Sequence, residues 1–423
     1  MGEAHRPDRR GWYVDAAWYA ASTIFAVLVW RLADVPLQRS WGGLAVWSYL
    51  GASVVALALS RSSLSHGARI ALAVAALLGA TLAPLAIAVA DRGPGDRGAT
   101  AQSEVLIVEE AATTLLDGRD PYTQAYDRGP LADRPGPTRT HVAYPPGIFV
   151  FGVPKALAGP GPLTDARVWF LAASLAIALP SLRRMRTDGD GRLLVFQVLF
   201  VLPTGAMPLA TGGHDVPVLA ALLASVVLAG GDRATASGLA AGAALAMRQT
   251  TILALPFLAA ITPPARRPRQ VAVALVPALA ASVPFLLWDA AAFIEDVVRF
   301  PLGLGTGRSS ARTPTLGSAL LDLVPSARTA VTIALVVSIA VIVVALVAIR
   351  SPRTAADACV RMAAAYGAAI ALAPAARFGY LIYPLSFLAW AAAFARGSDA
   401  ERPAPTEDLV VARRAPDLTE GAP

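Results

Sequence analysis

Short polar clusters interrupt an otherwise apolar chain of 423 residues, and each holds side chains able to bind an anion or move a proton. Glu104 opens the stretch SEVLIVEEAATTLLDG. A carboxylate in such a place can take the proton of an attacking hydroxyl, a step worth ~10²–10⁴-fold in rate. Asp91, at the end of the third apolar run, is the alternative base. Arg248 lies inside the apolar run ALAMRQTTILALP, where a charge costs at least ~2.5 kcal/mol, and its planar fork suits phosphate oxygens. His214 and Asp215 close the tight loop TGGHD, Tyr144 stands in AYPPG, and Arg377 and Tyr380 open the last run in ARFGYLIYP. Taken singly, each has a plainer explanation. Glu104, Glu109 and Glu110 can be a solvated face at a helix N-terminus, a loop histidine is usually structural, and tyrosines anchor membrane interfaces. His5, His66, His141 and His214 show no metal-ligand spacing and Cys359 is alone, so neither a metal nor a cofactor is expected.

The elements that must position these residues are membrane helices. A mean hydropathy of +0.55, with 56% hydrophobic and 15% charged residues, describes a polytopic membrane protein. Apolar runs at 16–33, 43–59, 70–90, 193–209, 271–288, 331–349 and 379–395 are long enough to cross ~30 Å of hydrocarbon. Shorter runs fall at 145–158, 168–182, 216–229 and 359–375. The spacing of Val105, Val108, Ala112 and Leu115 predicts a helix over 103–118, with Ser103 as N-cap and its apolar face on the membrane. Arginines in short loops favour the cytoplasm, which leaves 91–144 as one large extracytoplasmic loop and both termini inside. That charge pattern holds only if 145–158 is re-entrant and 235–262 is two short helices meeting near Arg248, with the arginine at depth. The expected fold is therefore an all-α polytopic membrane protein of about 10–12 transmembrane helices, with re-entrant or short helices and a loop-borne interfacial helix. Residues 1–67 read as an N-terminus plus two appended helices, 68–396 as the main domain, and 397–423 as a disordered cytoplasmic tail. The net charge of +7 rests on scattered arginines without interleaved aromatics, so no nucleic-acid partner is expected.

The run EVLIVEEAATTLLDGRDPY followed by YPPG resembles the first external loop of the polyprenyl-phosphate-dependent glycosyltransferases of the GT-C superfamily. It is most similar to the family-87 enzymes of actinobacterial, mannosyltransferase type. The signature residues are Leu115, Leu116, Gly118, Pro121, Tyr122, Tyr144, Pro145 and Pro146. Two departures stand out, since the family usually has Asp where this chain has Glu104 and Lys where it has Arg248. The resemblance implies an inverting, metal-independent hexosyl transfer, mannose first, from a polyprenyl-phosphate donor to a glycolipid or polysaccharide acceptor at the outer face of the plasma membrane. Glu104, or else Asp91, is then the base. Arg248 holds the phosphate with Arg377 as a second cation, and His214, Asp215, Tyr144 and Tyr380 line the pocket. A transporter or lipid flippase is the competing expectation, because broken helices and an intramembrane arginine also serve transport. A scaffold that keeps the fold without chemistry is the third.

Overall fold

The computed structural model describes residues 9–400 apart from 63–64, 94–99, 135, 231–232, 307–310 and 312, so most of the expected disordered tail lies outside the described residues. In chain order the first helices are α1 (Arg9–Leu32), α2 (Pro36–Leu59), α3 (His66–Arg92), the loop helix α4 (Ser103–Leu116) and α5 (Pro146–Ala158). Then come α6 (Ala166–Arg184), α7 (Gly189–Thr211), α8 (Asp215–Ala229), α9 (Ala234–Met247) and α10 (Gln249–Ile261). The chain continues through α11 (Pro264–Trp288), α12 (Pro325–Ala348), α13 (Ala355–Leu372) and α14 (Phe378–Gly397). Among the described residues, nine of these are long and apolar enough to cross a membrane. They include α6 and α13, whose sequence runs look short because Arg167 and Arg361 interrupt the apolar count. The protein is an all-α polytopic membrane protein.

Helices α5, α8, α9 and α10 are too short to cross. The 15 residues of α8 and the 14 of α9 rise only about 20 Å, against ~30 Å of hydrocarbon. Helix α8 is nevertheless the most enclosed element, with twelve of its residues buried, from Val216 to Ala229. By contrast α12 exposes Ile333, Val337, Val341 and Val344 along one stripe, as a lipid-facing helix does. Helices α9 and α10 meet at Arg248, whose extended backbone (φ −152°, ψ 116°) ends one helix before Gln249 begins the other. This is the break expected from the charge pattern, and it leaves Arg248 buried.

Helix α4 departs from expectation in two ways. Ser103 is its first helical residue rather than its cap; Gln102 precedes the helix and instead bonds Thr211 through Nε2 (2.8 Å). The helix also lies against protein. Val105, Leu106, Val108, Ala111 and Ala112 are all buried, and Gly152 lets α5 cross so closely that a Cβ there would run into the Val108 carbonyl. Glu109 is fully buried instead of solvated. Its carboxylate accepts from Arg92 (2.5 and 3.0 Å) and from the Ala166 N–H (2.9 Å), and it pairs with Lys155 (3.1 Å). Asp165 completes the network with Arg92 (3.0 Å) and Arg167 (2.7 Å). Burial pushes the Asp165 carboxyl up, but Arg167 and Arg92 outweigh it and hold it below the ordinary carboxylate range.

The first two helices are fastened to the rest rather than loosely added. Buried Asp15 of α1 pairs with Arg69 of α3 (2.6 Å), and Tyr49 of α2 donates to the Val201 carbonyl of α7 (2.6 Å).

Candidate active site

Three helix ends and one loop converge on Arg248. Its guanidinium pairs with Asp215 (2.8 Å), the first residue of α8, and lies 4.8 Å from the ring centroid of Tyr380 and 5.7 Å from that of Tyr383. Tyr383 donates to the same Asp215 oxygen (2.8 Å) and stacks on Tyr366 of α13, which in turn donates to the Thr250 carbonyl beside Arg248 (3.1 Å). Asp215 and Tyr383 are thus each held by a second group besides Arg248.

His214 adds an acceptor. Its Nε2 lies 3.1 Å from Arg248 Nη1, and since an arginine can only donate, Nε2 is the acceptor and the proton sits on Nδ1. That Nδ1 is buried with no hydrogen-bond partner among the described residues. Burial, opposed by Asp215 and helped by Arg248, brings the His214 pKa down to about 4; the ring is neutral at physiological pH.

Glu104 reaches this cluster from the first turn of α4. It pairs with Arg377, and the two charges act on both Tyr144 and His214. Tyr144 packs edge-on against His214 with centroids 4.5 Å apart; its phenol is pushed up by burial first and by Glu104 next. The approach of α4 depends on Gly212, whose φ of +114° suits only glycine and where a Cβ would collide with Val105. The Gln102 N–H donates to the Thr211 carbonyl (3.0 Å) at the same point.

Of the residues singled out in the sequence, Glu104, Tyr144, His214, Asp215, Arg248, Arg377 and Tyr380 come together. Asp91 does not. It is exposed at the end of α3, and its neighbour Arg92 turns inward to the Glu109 network. The cluster also contains Tyr383, which stands with Arg377 and Tyr380 in ARFGYLIYP, and Tyr366, which sequence reasoning did not place there. Tyr383 follows Tyr380 by one helical turn and so shares its face, which was the available signal.

The family model of glycosyltransferase family 87 matches residues 142–375, more than half of the chain. The chain belongs to glycosyltransferase family 87. Searches among curated proteins and among solved structures returned no match. The family-87 stretch carries Tyr144, His214, Asp215 and Arg248, while Glu104 lies before it and Arg377 and Tyr380 after it. Folding therefore brings residues from outside the matched stretch onto its polar cluster. As a family-87 member the protein is a membrane glycosyltransferase, acting on a sugar donor and an acceptor at the membrane.

Proposed function

We propose that this family-87 glycosyltransferase moves a hexosyl group, mannose first, from a polyprenyl phosphate to an acceptor hydroxyl, and that the Arg248 cluster is where it does so. The observation that carries the reading is the meeting of two carboxylate–arginine pairs, Arg248–Asp215 and Arg377–Glu104, around Tyr144 and His214 at the ends of helices too short to span. Two cations at such helix ends suit a lipid-borne phosphate at membrane level. Arg248 takes its oxygens, with His214 holding the guanidinium through Nε2. Arg377 is the adjustable cation, since its side chain keeps 41% of its exposure whereas that of Arg248 keeps 9%. An arriving phosphate competes for Arg377, and the Glu104 carboxylate is released to the acceptor.

In the transfer itself Glu104 takes the hydroxyl proton and the acceptor oxygen forms the new bond to the anomeric carbon. The bond from that carbon to the phosphate oxygen breaks, and its electron pair leaves with the polyprenyl phosphate. Attack from the face opposite the phosphate inverts the anomeric centre. Arg248 and Arg377 stabilise the charge that builds on the leaving phosphate. Asp91, exposed and away from the cluster, is the weaker base. The reading puts the loop and cluster on the outer face of the plasma membrane with the N-terminus inside, the arrangement favoured by the arginines of the first loops.

Radiolabelled polyprenyl-phosphate-mannose, given to membranes holding equal amounts of wild type or Glu104→Gln, tests this. Label enters endogenous acceptors with the wild type and not with the variant. Equal labelling by both would remove Glu104 as base, and no labelling by either across several donor sugars would return the chain to the transport reading.

A further inference from the structure

A cavity lies apart from Arg248. It is a cleft of about 430 Å³ lined by Tyr122, Thr140, His141, Glu295, Asp296 and Thr306, along with Pro137 and Ala292. That size is ordinary for a small-molecule site, ~300–1,000 Å³. The cleft and the Arg248 cluster share a wall, the three residues 142–144. The Val142 N–H donates to Asp296 (2.7 Å) on the cleft side. The Ala143 carbonyl accepts from Gln249 (3.3 Å), the residue after Arg248, and the Tyr144 carbonyl accepts from the cleft residue Tyr122 (2.8 Å). The ring of Tyr144 meanwhile faces His214.

The two sides of this wall have opposite chemistry. The cluster is arginine-rich, whereas no residue lining the cleft is a cation at neutral pH; burial lowers the pKa of His141, more than Glu295 raises it. Glu295 is paired with Arg299 (3.4 Å), so the cleft lining holds no cation free to take an anionic lipid phosphate. What the cleft offers is a set of hydrogen-bonding groups and the ring of His141, itself held flat on Phe300 with centroids 4.1 Å apart. Carboxylates and hydroxyls set around a ring-sized space, beside a flat ring surface, match the alternating hydroxyls and C–H faces of a sugar.

We propose that this cleft is the acceptor subsite and binds a neutral, polyhydroxylated ligand, the sugar that receives the transferred residue. The assignment rests on the transferase reading above for the word acceptor, and on the cleft alone for the word sugar. Glu295 is already fixed by the Thr306 N–H (2.5 Å) and hydroxyl (3.1 Å), so its carboxylate is positioned before a ligand arrives. Asp296, raised to about 7 by burial, with Glu295 and Asp120 adding to the rise and the Val142 N–H opposing it, both donates and accepts near neutrality. Selectivity between donor and acceptor then follows from charge: the phosphate goes to the arginines and the neutral sugar to the acids, across the 142–144 wall.

Saturation-transfer NMR on the full chain in lipid nanodiscs, prepared without glycoside detergents, tests this with two probes, methyl α-mannopyranoside and farnesyl phosphate. The wild type binds both. Glu295→Ala binds the hexoside about tenfold more weakly and the phosphate unchanged. Thr140→Trp, which fills the cleft from an exposed position, does the same and guards against a folding effect. Arg248→Ala shows the reverse pattern. Hexoside binding that is absent in the wild type, or untouched by both cleft variants, overturns the proposal. Cleft-dependent hexoside binding in a protein that transfers no sugar keeps the sugar site and removes the transferase reading instead.

Discussion

At the residue scale, Arg248 is defined by how much it would cost alone. A buried charge that loses its partner destabilises by about 3–5 kcal/mol, so Asp215, Tyr383 and Tyr380 are as necessary to the fold as to a ligand. Arg248→Lys keeps the charge but not the fork, and is expected to raise the donor KM about tenfold while leaving the acceptor KM unchanged, measured by transfer kinetics at varied donor. Asp296 gives a pH prediction. Its folded pKa of about 7 lies above the usual carboxylate value, so its contribution to stability is full at acid pH and is lost as pH rises from about 4 through about 7. Asp296→Asn should flatten that part of the melting-temperature profile in scanning fluorimetry; an unchanged profile would put the titration elsewhere. Much of the cluster was legible in the sequence because polar residues stand out against apolar runs. Asp296 was not, because one more acid in a polar outer segment carries no signal until burial singles it out.

At the element scale, α4 delivers Glu104, and two devices aim it. One is Gly212, where a side chain has neither the space nor the backbone conformation. Gly212→Ala should leave the protein folded but lower kcat by at least about tenfold, since moving a reacting group by an ångström costs ~10²-fold. The other is the buried network of Glu109, Arg92, Asp165, Arg167 and Lys155. Glu109→Gln leaves Arg92 and Lys155 short of a counter-charge and is expected to cost about 3–5 kcal/mol, read as a lower melting temperature in detergent. The 103–118 periodicity located this helix within two residues but laid its apolar face on the membrane and gave Glu109 no buried partner. A stripe of Val105, Val108, Ala112 and Leu115 describes one face, whereas α5 and α6 enclose a second, and the partners that bury Glu109 are as distant in sequence as Ala166. Short-range spacing has no access to such contacts.

At the scale of the whole molecule, helices of two lengths explain where the site lies. Long helices such as α7, α11 and α14 span, while α8, α9 and α10 stop short and leave their polar ends, Asp215 and Arg248, within the bundle. The break at Arg248 was legible because arginines at both ends of 235–262 required an even number of crossings. The fastening of α1 and α2 was not, since Asp15 stands just before a run, 16–33, that reads as an ordinary first span. Asp15→Asn, which leaves Arg69 without its buried partner in α1, should lower the melting temperature without changing either KM. The most direct measurement is on purified Glu104→Gln in nanodiscs, with kcat for sugar transfer and affinity for the polyprenyl-phosphate donor determined on the same preparation. A base at this position predicts a kcat lower by ~10²–10⁴-fold with donor affinity within about twofold of wild type. A kcat equal to wild type, or a loss confined to donor affinity, would contradict it.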